Sequence, residues 1–247
     1  MAGDDGRPVA SLAPDAVGPY GQRAADRPSV RTRSTSRRIA IPASPRRWVP
    51  WLGLGVLGLL VLSGIHPYER STWLMEVAPI LIAAPVLVWS WRRWPLTSLL
   101  YVLIALHAVI LLVWGAYTYA RVPLGFWVQD LFHLARNPYD RLGHFAQGFV
   151  PALIAREIFL RRGIVRSRGW SATLAVAVAL SISLLYELVE WGAALALGQG
   201  ADAFLGTQGD PWDTQSDMAM ALVGALGAMF LLARWHDRQL AALAPPG

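Results

Sequence analysis

Cysteine and lysine are both absent from the 247 residues. Without cysteine there is no disulfide scaffold, no zinc ribbon and no thiol chemistry, and a soft-metal site is disfavoured. Charge is scarce. Only 15% of the residues are Asp, Glu, Lys or Arg, where an ordinary soluble domain carries about 25%. The chain also lacks HExxH, a P-loop, GxSxG, a GxGxxG opening a Rossmann unit, and the ExxH pairs of di-iron bundles. By contrast, 55% of the residues are hydrophobic, 12 are Trp and the mean hydropathy is +0.39. A soluble protein this apolar would need far more core than its length provides. The expected class is therefore all-α: a polytopic transmembrane helix bundle with the lipid bilayer as its principal partner.

All 22 basic residues are Arg, and the net charge is +6. They form no patch interleaved with aromatics, so nucleic acid is not an expected partner. Nine fall within residues 1–47, and most of the others flank apolar runs. Residues 1–47, rich in Pro, Ser, Gly, Ala and Arg, show no helical period and read as a disordered, Arg-rich cytoplasmic tail. A cleavable signal peptide is not expected, because the first apolar run starts too far into the chain.

A hydrocarbon core of about 30 Å needs about 20 helical residues. Six runs fit that length: 48–65, 72–91, 96–119, 143–160, 170–197 and 213–233. The fourth is interrupted by Arg156 and Glu157, and the sixth has a polar first turn. With the N-terminus placed in the cytoplasm, 17 Arg fall on inner segments and four on outer ones. That split predicts six spans, N-in and C-in, with residues 48–235 as the transmembrane domain and 236–247 as a short cytoplasmic tail. Between the third and fourth spans, Leu124, Val128, Leu131, Phe132 and Ala135 follow helical spacing. They predict a short interfacial helix within 120–139, with a buried helix capping the bundle as the alternative. Gly53, Gly55 and Gly58, and Gly224 with Ala228, are expected to let helix backbones approach. His236 reads as interfacial, and Arg156 and Glu157 as structural.

The polar residues gather in three places. Asp140, His144 and Gln147 share one helical face, as do Ser183, Glu187 and Glu190, and Asp213 with Asp217. Under the Arg-derived topology all three sets reach the extracytoplasmic interface. An ionised carboxylate costs about 2.5–3.5 kcal/mol at a span's centre and less near the interface. Asp140, Glu187, Glu190, Asp210, Asp213 and Asp217 outnumber Arg141 and His144. Such an excess must recruit a cation, hold protons or stay wet. The bland alternative is helix capping in headgroup water, with Asp213 capping the sixth helix and Asp140 the fourth. Glu76 is a weaker candidate for the same cluster.

The stretches Tyr139-Asp140-Arg141-Leu142-Gly143-His144-Phe145, Tyr186-Glu187-Leu188-Val189-Glu190-Trp191 and Phe204-Leu205-Gly206-Thr207-Gln208-Gly209-Asp210-Pro211-Trp212-Asp213 resemble the uncharacterised bacterial multi-pass inner-membrane family typified by YjdF. The resemblance covers about residues 48–240. It implies placement in the bacterial inner membrane and assigns no activity. Ser216 departs from the family pattern, which carries a larger, often aromatic residue there. A looser, motif-level likeness to VanZ-like membrane proteins runs through Asp140, Arg141, His144, Glu187, Asp213 and Asp217, and lends no substrate.

Three functions compete. The first is a membrane-embedded enzyme acting on a lipid or lipid-linked headgroup. Here Asp140, Arg141 and His144 are the candidate catalytic residues, with His144 as acid or base and Arg141 on a phosphate. Glu187, Glu190, Asp210, Asp213 and Asp217 are the candidate ligands of a hard divalent cation, Mg²⁺, Mn²⁺ or Ca²⁺. The second is an ion-coupled transporter, which predicts an internal repeat that the chain does not show. The third, which the residues favour, is a binding or assembly protein that supports the envelope without turnover, its outward-facing acidic and histidine site binding a divalent cation or a lipid-linked headgroup.

Overall fold

The computed structural model describes residues 47–197 and 208–243. The tail expected over 1–47 lies outside them apart from Arg47, as do residues 244–247 of the expected C-terminal tail. The described residues form helices and no strand. In chain order these are α1 (Val49–Ile65), α2 (Arg70–Ser90), α3 (Ser98–Tyr117), a 3₁₀ turn (Tyr119–Arg121), α4 (Pro123–Phe132), α5 (Tyr139–Arg161), α6 (Arg168–Leu197) and α7 (Asp213–Leu243).

Local chemistry sets the boundaries. Thr97 caps α3 by accepting a hydrogen bond from Leu100 N, and Glu69 caps α2 by accepting from Thr72 N at 3.1 Å. The Ser71 and Thr72 hydroxyls also donate to Glu69, and these bonds hold its carboxyl below the ordinary range. Pro123 opens α4, where its fixed φ suits the first helical turn. Pro79 and Pro85 both lie inside α2, which continues through them. The helix expected within 120–139 is present as α4, with Gly125 its only buried residue. α7 runs past the expected end of its span to Leu243, which is itself buried.

By length and composition α2, α3, α6 and α7 are each able to cross a membrane, and α1 is a shorter apolar helix of 17 residues. α6 displays the relevant polarity. Leu184, Leu185, Leu188 and Val189 are exposed, while Ser183, Glu187 and Glu190 are buried. A helix with apolar residues outside and carboxylates inside is suited to lipid and unsuited to water.

α5 is the central element, packing against α7, α6 and α3. Its contact with α7 is backbone-close. A side chain at Gly148 would strike the Ala221 carbonyl, and one at Gly224 would strike the Phe145 carbonyl. Ala152, Ala179 and Ala225 are fully buried where α5, α6 and α7 meet. Without a hydrophobic drive between helices in lipid, this dispersion contact is the main adhesive. The α1 glycines behave differently from the expectation. A side chain added at Gly53, Gly55 or Gly58 would meet nothing within 4 Å, so these glycines mark no close helix approach among the described residues.

Candidate functional site

Two polar clusters lie at opposite ends of the α3–α5–α6–α7 bundle, and they differ in how their charge is balanced. At the first end, Glu157 is fully buried. It accepts from Thr97 Oγ1 at 2.8 Å, His236 Nε2 at 2.9 Å and Arg161 Nη1 at 2.7 Å. Arg156 donates to His236 Nδ1 at 3.1 Å and to Asp237 at 2.7 Å. Arginine cannot accept a hydrogen bond, so the His236 proton facing Glu157 sits on Nε2. His236, expected at an interface, is therefore the fully buried link between α5 and α7. This cluster joins α3, α5 and α7 and has its charges paired, which agrees with a structural role for Arg156 and Glu157.

At the opposite end, acids dominate. Asp140, His144 and Gln147 on α5, Glu187 and Glu190 on α6, and Asp213 and Asp217 on α7 are all buried. His144 lies among them. Its Nδ1 is 3.0 Å from Gln147 Oε1. Its Nε2 faces Asp140 Oδ1 at 3.3 Å and Asp217 Oδ2 at 3.8 Å. Glu187 Oε1 is 3.7 Å from Nδ1, beyond hydrogen-bond range. Asp140 Oδ2, Glu187 Oε1 and Asp217 Oδ1 are buried without a hydrogen-bond partner among the described residues. Buried carboxylate oxygens left so are costly and call for an explanation.

The remaining acids are engaged. Tyr119 donates to Glu76 and lies 3.2 Å from Glu190 Oε1, while Tyr186 donates to Glu76 at 3.0 Å. Glu76 is thus a full member of the cluster. Tyr119 is reached through Thr118, whose φ of 63° and ψ of 158° belong to a region open essentially only to glycine. Nothing in the sequence signals that turn. Asp213 accepts from Arg136, and Asp210 pairs with Arg136 at 3.4 Å while accepting from Trp212 N at 2.9 Å. Burial opposes the Arg136 charge, but the bond to Asp213 and the field of the neighbouring acids raise its pKa above the ordinary value.

The loops that carry Arg136 and Asp210 are tied together. Asn137 N donates to Gln208 Oε1 at 3.2 Å, and Gln208 Nε2 donates to Asn137 O at 3.1 Å. Beside them is a cavity of about 300 Å³ lined by Arg136, Pro138, Arg141, Gln208, Gly209 and Asp210, among others.

The sequence-expected residues therefore divide. Asp140, His144 and Asp217 each offer a ligand atom within 4.8 Å of the others, and Glu187 stands next to them. Glu190 belongs to the tyrosine-bonded group. Asp210 and Asp213 belong to Arg136, and Arg141 belongs to the cavity. Oxygen and imidazole donors of this kind suit a hard or borderline divalent ion.

No solved structure matches the chain. The chain is 60% identical over 182 residues to the inner membrane protein YjdF of Escherichia coli (strain K12), covering 74% of this chain and 87% of that protein. The family model described as "Predicted membrane protein (DUF2238)" matches residues 49–238, which takes in both polar clusters. With its lipid-facing helices and this relative, the chain is a multi-pass helical protein of the bacterial inner membrane, and it belongs to the DUF2238 family of membrane proteins.

Proposed function

We propose that this protein binds a divalent cation, Mg²⁺, Mn²⁺ or Ca²⁺, at Asp140, His144 and Asp217, on the extracytoplasmic side of the membrane. The observation that supports this best is the setting of the His144 ring. With Nδ1–H donating to Gln147, a neutral ring turns the Nε2 lone pair toward two carboxylates. That arrangement is repulsive unless a proton or a metal ion stands between them. An imidazole whose other nitrogen is oriented by an amide or carboxylate is the usual metal-ligating form. The unpartnered oxygens of Asp140 and Asp217 supply further donors, and Glu187 supplies charge beside the ion.

In this reading α1 and α5 complete six spans. α5 is masked as a span by its own charges, yet Asp140, His144, Arg156 and Glu157 are all buried in the bundle, where lipid does not meet them. The Arg split then puts both termini in the cytoplasm, the Glu157–His236 cluster at the inner end and the acidic cluster at the outer end. α4, with Leu124, Trp127, Leu131 and Phe132 exposed, lies in the outer interface.

The test is Mn²⁺ binding to the detergent-purified protein, followed by electron paramagnetic resonance. Wild type should take up one ion, while Asp217→Asn and His144→Gln should not. Uptake unchanged in both variants would refute the assignment.

A further inference from the structure

We propose that the cavity lined by Arg136, Arg141 and Asp210 binds a phosphate group through Arg141. This inference adds an anion site at the same end of the bundle and stands beside the cation reading. Arg141 follows Asp140 on α5, but the two side chains do different things. Asp140 is buried in the acidic cluster, whereas Arg141 lines the cavity of about 300 Å³. Each neighbouring charge there already has a partner: Arg136 holds Asp213 and Asp210, and Asp210 also receives Trp212 N. Arg141 has no salt bridge among the described residues, and its Nε is buried without a hydrogen-bond partner.

A guanidinium that lines a cavity and has no counter-ion among the described residues is suited to an anion. The fork of a guanidinium matches phosphate oxygens two at a time. Two further features bear on an anion there. Arg136 is already balanced by Asp210 and Asp213, which leaves Arg141 as the lining cation without a counter-ion among the described residues, and the α5 N-terminus opens at Pro138, which lines the same space. The volume is at the lower end of the roughly 300–1,000 Å³ of small-molecule sites, room for a headgroup rather than a bare ion.

The experiment uses the full chain in detergent and isothermal titration with two probes, inorganic phosphate and dihexanoyl phosphatidic acid, each with and without Mn²⁺. Wild type should bind at least one probe. Binding of both identifies a free-phosphate site; binding of the lipid alone identifies a headgroup site. Arg141→Gln should weaken binding by roughly tenfold or more, and Arg141→Lys, which keeps the charge and loses the fork, should fall between. Arg141→Gln should still take up Mn²⁺ without phosphate, which shows that it is folded. Should Arg141→Gln fail to fold, the Arg141→Lys comparison carries the test alone. Failure of wild type to bind either probe, or variants that bind as wild type does, would overturn the phosphate site. Loss of Mn²⁺ uptake by wild type would instead strike the cation reading, since the titrations without Mn²⁺ stand independently.

Discussion

His144 and His236 show how neighbours assign a ring nitrogen. His236 lies between a donor, Arg156, and an acceptor, Glu157, and both of its nitrogens are satisfied. His144 has an acceptor, Gln147, on one side and two carboxylates on the other. Removing one acid should therefore have opposite consequences at the two ends. Glu157→Gln breaks a buried, fully bonded carboxylate and should destabilise the protein by about 3–5 kcal/mol. Asp217→Asn removes one of several crowded acids. Its unfolding midpoint in chelator should equal or exceed that of wild type, and it should lose the stabilisation that Mn²⁺ confers on wild type. Thermal unfolding in chelator and in Mn²⁺ measures both. Gln147→Leu should weaken Mn²⁺ by about 10–100-fold without abolishing it, as expected for a group that orients a ligand. The i, i+4 spacing of Asp140 with His144 and of Asp213 with Asp217 was legible in the sequence, because helical periodicity alone places each pair on one face. What each acid pairs with was not. Asp213 goes to Arg136, which lies in a loop, and Tyr119 reaches Glu76 only through the unusual backbone at Thr118.

At the scale of elements, the α5–α7 contact brings His144 and Asp217 together. Gly148 and Gly224 are its two interlocking points, each set against a backbone carbonyl of the partner helix. Gly148→Ala and Gly224→Ala should each cost about 1–3 kcal/mol by overpacking, and should weaken Mn²⁺ binding by spreading the two helices. Gly53→Ala in α1 meets open space, so it should leave stability unchanged or raise it slightly through helix propensity. Unfolding of the three variants in one detergent compares them directly. Small residues could be recognised in the sequence as a class. Which of them carry a contact depends on the helix face turned to a neighbour, and in α1 that face carries Gly64, set against Trp73, and not Gly53, Gly55 or Gly58. α5 is the least regular of the six expected runs for a related reason. Its charges break the apolar run, and Asp140, His144, Arg156 and Glu157 are buried where it packs on α3, α6 and α7.

Over the whole molecule, two charge patterns share one axis. The Arg-rich segments favour the cytoplasm, and the acidic cluster lies at the end farthest from Arg161 and Arg168. Reporter fusions at Gly200 and at the C-terminus should report opposite sides of the membrane, and the same side for both would overturn the six-span topology. The helical class and the inner-membrane setting were legible from composition and motifs, since lipid imposes its demands on the sequence directly. Partition of the acids among His144, an arginine and two tyrosines was not, because it is decided by loops whose course periodicity does not describe. The cation proposed at His144 is open to anomalous diffraction from crystals grown in Mn²⁺. One peak is expected, roughly 2.0–2.6 Å from His144 Nε2 and from an oxygen each of Asp140 and Asp217. A fully ordered cluster with no peak there, or a peak bound only by surface acids, would contradict it.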